Sequence, residues 1–225
     1  KRAIRAIEIQ TYYQQNPQEA VLSTPHPMQD VVIIGVDSCS RSDIASLIDA
    51  VSYVGPKVVG LDVFFEFASD NDELLLSAIS DCENIVLPLR VDYDSVSNSF
   101  TNPQGSFFYS ALNNATYGVV NFPSDKSSVL RQFRPAFTAD GNKYNSFATA
   151  IAQKVSDNSY MHLVNRNNDL EDINYSATEF AEFDAFEIID EERFPRHGIE
   201  EIIRDKIVLI GGLNIATDKH ITPID

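Results

Sequence analysis

Three aspartates stand where apolar runs stop. "VVIIGVD" ends on Asp37, "PKVVGLDVFF" carries Asp62, and "KIVLIGGLNIATDKHITPID" places Asp218 after the Gly211-Gly212 pair. Carboxylates gathered at one point are hard oxygen ligands for Mg²⁺ or Ca²⁺, or groups that hold a polar ligand. In a parallel α/β sheet, ligands bind outside the carboxyl ends of the strands, so convergence at that edge is the expectation that gives these residues a function. The competing reading is structural: an aspartate at a strand-to-helix connection accepts backbone N–H bonds and caps the turn.

Other chemistries find less support. The double glycine lacks the Gly-x-Gly-x-x-Gly form of a dinucleotide site and the Gly-Lys-Ser/Thr ending of a P-loop, so Gly211 and Gly212 are read as permitting a tight turn or a close backbone approach. There is no Gly-x-Ser-x-Gly elbow, and His26, His162, His197 and His220 have no diagnostic partner spacing. Asp37 opens Asp-Ser-Cys, whereas haloacid-type hydrolases need Asp-x-Asp. Catalysis is therefore not expected, and no cofactor is called for. Arg131 and Arg134, three apart in "VLRQFRP", fall on opposite faces of a regular strand, so at most one points inward, where it must pair with an acid or capture an anion.

Composition narrows the partners. The 17 basic and 33 acidic residues give a net charge of -16, which repels nucleic acid and anionic lipid and also serves solubility. With 44% hydrophobic and 22% charged residues, the chain has the make-up of an ordinary globular domain. Cys39 and Cys82 lie outside any Cys/His ligand spacing, which excludes a sulfur-ligated metal cluster and leaves open whether they pair. Binding of another metal also stays open. No run reaches the ~18 apolar residues of a membrane span, and "KRAIRAIEIQTYYQQ" is too polar for a secretory signal. Since the chain also begins without Met, a piece of a longer protein is expected.

The elements that must position these residues follow from periodicity. Residues 1–27 read as an N-terminal arm or membrane-proximal connection, and 28–225 as the domain. Residues 31–37 and 56–65 are expected as buried strands joined by a helix over 40–55, N-capped by Ser40 or Ser42 and stopped at Gly55. This is a β-α-β unit with parallel strands. A helix over 69–80 and a strand over 84–91 continue the alternation, and 92–116 read as a long excursion. The runs 117–122 and 128–137 are expected to form an antiparallel hairpin across "PSDKS". A helix over 145–155 follows, then short strands at "INY" and "FEIID", a turn around Arg196-His197-Gly198, a helix over 198–205 and a last strand. The fold expected is α/β: a central mixed, mostly parallel sheet with helices on both faces and an inserted β-hairpin.

The ordered set "VVIIGVDS", "PKVVGLDVFFE", "NIVLPLRV", "YGVVNFPSDKSSVLRQFRP", "NSFATAIAQ" and "DKIVLIGGLNIATDKHITPID" resembles the CHASE sensory family, type two (CHASE2), over residues 28–225. That resemblance implies an extracytoplasmic sensing module of the kind attached to bacterial cyclases and histidine kinases. Carried over by motif, the family's strand-end acids fall on Asp37 and Asp62, its arginine after the hairpin on Arg131, and its closing acid with Thr-Pro on Asp218, Thr222 and Pro223. Arg41 resembles the arginine that opens the family's first helix. The family's Trp-Pro-Trp-Pro-Arg segment is missing, since the chain has no Trp.

The candidate ligand-binding set is thus Asp37, Ser38, Arg41, Asp62, Phe64, Arg131, Gly211, Gly212, Asp218 and Thr222. The expected partners are an unidentified small-molecule or protein signal and, through segments outside this chain, a membrane; a homodimer stays open. A metal-assisted hydrolase built on Asp37, Asp62 and Asp218, or a structural module of a cell-surface complex, are the alternatives.

Overall fold

A computed structural model of the chain describes residues 28–112, 115–122, 129–175, 180–190 and 196–214; strands and helices are numbered along it. Five parallel strands form the heart of the sheet: β1 (Met28–Gly35), β2 (Val58–Asp62), β3 (Ile85–Asp94), β10 (Phe180–Asp184) and β11 (Ile207–Gly211), in the order β10-β1-β11-β2-β3. The first half of β3 also pairs in parallel with β5 (Thr116–Val119). Its second half turns back antiparallel with β4 (Ser99–Gln104), and β7 (Ala136–Ala139) and β8 (Asn142–Asn145) complete that wing. The expected mixed, mostly parallel sheet is present.

Continuous apolar strands are what a sheet covered on both faces requires. Val32 and Ile34 of β1, with Val208 and Ile210 of β11, meet α1 (Arg41–Val54), α2 (Asp72–Asp81), α5 (Ala185–Ile189) and α6 (Arg196–Ile203). Val31 and Ile33, with Ile207 and Leu209, meet α3 (Phe147–Val155) on the other face, where Ala152 of α3 packs with Leu163 of α4 (Asp157–Asn165). Helix α1 begins at Ser40, whose side chain and that of Asp43 form a capping box, and ends at Gly55 with φ 83°, a left-handed stop that glycine takes without strain. Its Leu47, Ile48 and Val51 are fully buried.

Five expectations are corrected. Residues 117–122 do not form a hairpin with 128–137: β5 lies parallel to β3, with Val86 opposite Thr116 and Leu89 opposite Val119. Within 128–137, β6 (Gln132–Phe133) pairs instead with β9 (Glu171–Asp172), and β7 with β8. The lack of a side chain at Gly118 lets β5, in this parallel position, lie directly against the start of α3. The inserted hairpins are β3–β4 and β7–β8. The excursion over 92–116 therefore contains strand β4, and a 3₁₀ turn at Tyr109–Ala111. "FEIID" belongs to α5, which Asp184 and Glu187 start with a capping box. Arg196-His197-Gly198 forms the first turn of α6, and "INY" follows β9. The expected arm over 1–27 lies outside the described residues. Both cysteines are free thiols.

One charge in this frame works against folding. Burial, and then the neighbouring Asp81 carboxylate, raise the pKa of Asp49 on α1. A carboxyl that holds its proton more tightly folded than unfolded makes stability fall as pH rises, from the unfolded value near ~3.9 through the folded one. Ionised Asp49 is thus a net cost at neutral pH. Asp49→Asn is expected to raise the thermal midpoint at pH 7, with the gain vanishing below about pH 3, where both states are protonated; calorimetry at the two pH values checks it.

Candidate ligand-binding edge

The carboxyl ends of four parallel strands finish on one row. Asp184, Gly35, Gly211 and Asp62 stand opposite one another across β10, β1, β11 and β2. Asp37 lies two residues beyond that row and reaches across to the turn that leaves β11. Its Oδ1 accepts the amides of Leu213 (2.9 Å) and Asn214 (3.1 Å), and its Oδ2 accepts Asn214 Nδ2 (2.8 Å). Val36 N donates to Gly211 O at 3.1 Å. The side chain of Asp37 therefore adds one more rung where the backbone ladder of β1 and β11 stops.

The glycines allow this closeness. A Cβ on Gly35 would come 2.7 Å from Leu213 Cδ1, because the leucine folds back over the glycine. A Cβ on Gly211 would sit 3.3 Å from Asp62 O. Gly211 and the half-buried Gly212 thus lead into a turn gripped from β1.

Arg41, the first residue of α1, is fully engaged within the fold. Its guanidinium pairs with the Asp72 carboxylate and donates to Phe67 O. It also lies over the Phe65 and Phe107 rings, at 5.3 and 5.9 Å from their centroids. Phe64 supports Arg90 (5.3 Å), which pairs with Glu66 at 3.0 Å. Ser38 is exposed at the bend before α1. Arg131 is exposed, while Arg134 is half-buried over Phe100 and Phe137, so the inward arginine of the pair is Arg134. Asp218 and Thr222 lie outside the described residues. Among the described residues, no group of three or more His, Cys, Asp or Glu is placed to hold a metal ion.

Acids outside the candidate set shape the electrostatics of this edge. Helices α1, α2 and α5 all begin here, and each carries its own carboxylate in the first turn or at the cap: Asp43, Asp72 and Asp184. Asp43 Oδ2 accepts Ser40 N (2.8 Å), Asp72 Oδ2 accepts Ser69 N (2.8 Å), and Asp184 Oδ1 accepts Phe186 N (2.9 Å). Helix N-termini are ready-made anion sites; those of α1 and α5 are capped from within, while α2 has no side-chain cap hydrogen bond and carries Asp72 and Glu73 in its first turn. Burial, with Asp43, Asp184 and Asp37 around it, pushes the Cys39 thiol up to about 11. Carboxylates therefore dominate the charge of this edge. The signal that finds these acids in sequence is the Ser/Asp-x-x-Asp/Glu spacing of Ser40-Asp43 and Asp184-Glu187.

A mostly parallel sheet buried between two helix layers, with distinctive side chains at its carboxyl edge, defines an α/β domain. The CHASE2 domain model matches residues 13–225, and the chain belongs to that family. CHASE2 domains are extracytoplasmic sensory domains, not catalytic ones. No match was found among curated proteins or among solved structures. Among the described residues, no helix is long and apolar enough to cross a membrane.

Proposed function

We propose that this domain is the signal-input module of a membrane-anchored bacterial receptor, binding a small cationic or polar neutral molecule at the carboxyl edge of β1, β11 and β2. The observation that carries the reading is the grip of Asp37 on Leu213 and Asn214. It ties the turn leaving β11 to the end of β1, so a ligand that competes for the carboxylate, or adds to its hold, changes how the chain departs from the sheet. Asp62, level with Gly211, and Ser38 border the same place. Signalling is then a population shift between a gripped and a released turn, biased by the ligand's differential affinity for the two.

The test is thermal unfolding of the domain against divalent cations, sugars and amino acids. A ligand at about 100 times its Kd contributes roughly 2.7 kcal/mol to the native state. The expected result is a rise in midpoint with one class of compound that Asp37→Asn abolishes. No rise across the whole panel overturns the small-molecule reading and makes a protein signal the better one.

A further inference from the structure

Two glycines stand opposite each other at the end of the central strands. Along β1, Val31 and Ile33 point to the α3 side of the sheet, and alternation puts Gly35 third in that row. Along β11, Ile207 and Leu209 make the matching row, and Gly211 ends it opposite Gly35. The apolar row therefore stops one position short of the strand ends, where neither strand supplies a side chain.

Leu213 covers that place. Its side chain folds back over Gly35, so a Cβ there would come 2.7 Å from Leu213 Cδ1 and 3.0 Å from its Cγ. Half-buried, it packs against the cluster that holds Val31, Ile33, Ile207 and Leu209 to Phe147 and Ile151 of α3. The same residue is held a second way, since its amide donates to Asp37 Oδ1 at 2.9 Å, beside the amide of Asn214 at 3.1 Å. An apolar hold and a polar hold thus meet on one residue beyond the strand ladder.

We propose that Leu213 is a latch: its seat on Gly35 and the grip of Asp37 form together and open together, which gives the turn leaving β11 two positions rather than a range. The amide and the side chain share one Cα, so a backbone rotation that withdraws the N–H from Asp37 also lifts the leucine off the glycine. Closely packed contacts of this kind switch between discrete arrangements instead of deforming continuously. The latch also joins the carboxyl edge to the α3 face. A shift of α3 beneath Leu213 alters the hold at Asp37, and an event at Asp37 alters the packing on α3, by the same coupling in both directions. Its part in signalling rests on the gripped turn proposed above, whereas its mechanics require no ligand.

Hydrogen exchange and methyl NMR of the ligand-free chain test it. Leu213→Ala empties the seat and leaves Asp37 in place; it is expected to lower the protection of the amides at positions 213 and 214 at least about tenfold, with Val208 and Leu209 unchanged. Asp37→Ala removes the grip and leaves the seat, and is expected to abolish the nuclear Overhauser contacts between the Leu213 methyls and the Gly35 α-protons. Gly35→Ala drives the leucine out directly and is expected to lower the protection of the amides at 213 and 214 as Leu213→Ala does; the other two variants carry the test if it does not fold. Protection within about twofold of the parent chain in Leu213→Ala, or leucine methyls still seated in Asp37→Ala, overturns the latch, because the two holds are then independent. A latch that passes both tests while no compound raises the unfolding midpoint stands without the small-molecule reading, and an Asp37-dependent rise with independent holds leaves that reading without the latch.

Discussion

Gly118→Ala is expected to destabilise the domain by about 3 kcal/mol, the upper part of the range for forcing atoms into a packed interior. The added Cβ would lie 2.4 Å from Phe147 Cα, 2.9 Å from Phe147 N and 3.0 Å from Ser146 O. All three are backbone atoms, so no side-chain rotation relieves the contact, and either β5 or α3 must move. Neither moves freely. β5 is hydrogen-bonded along β3, and Phe147, Ala148 and Ile151 of α3 fill one face of the sheet against Val31, Ile33, Val58 and Val86. Urea unfolding at unchanged slope measures the loss. A loss under about 1 kcal/mol would mean that helix and strand can separate cheaply, against the close packing described here.

Arg41→Ala is expected to cost about 2–4 kcal/mol, for a different reason. The substitution leaves the Asp72 carboxylate, whose side chain is 18% exposed, without its counter-charge, and the Phe67 carbonyl without its donor. Breaking a buried pair costs about 3–5 kcal/mol, and partial exposure lowers that figure here. The arginine also covers two aromatic rings, so part of the loss is packing. A double-mutant cycle with Asp72→Ala separates the two parts: coupling of about 1 kcal/mol or more assigns the main role to the ion pair. If Arg41→Ala leaves the unfolding midpoint unmoved, the arginine is free for a ligand, as the family resemblance alone suggested.

How far the sequence reveals this architecture depends on how local each signal is. Strands β1, β2 and β11 are continuous apolar runs, and α1 carries both its Ser-x-x-Asp start and its glycine stop within sixteen residues, so these are legible. The pairing of β5 with β3 is not. Parallel strands meet without a shared turn, whereas "PSDKS" between two apolar runs imitates a hairpin. "FEIID" opens with the apolar-polar-apolar alternation of a strand, and the Asp184-x-x-Glu187 spacing that runs into it marks a helix. At the candidate edge, the type and place of Asp37 and Asp62 are readable, but the partner of Asp37 lies 176 residues away in sequence, a separation that no motif encodes. The choice between Arg131 and Arg134 follows from the aromatic rings of Phe137, close by in sequence, and Phe100, on the separate strand β4.

The central position of β11 bears on how the domain comes into being. β1 and β2 share no hydrogen bond; each pairs with β11, the last strand of the described residues. During synthesis the helices α1 and α2 can collapse early onto strands whose inner edges are both open, and two Val- and Ile-rich edges stay bare until residues 207–211 arrive. Closure then spans most of the chain, which makes a slow final step. A chain that stops before residue 207 lacks the strand that, among the described residues, joins β1 to β2, and leaves both of those edges unpaired. The topology thereby makes the joining of the two halves of the sheet depend on residues 207–211.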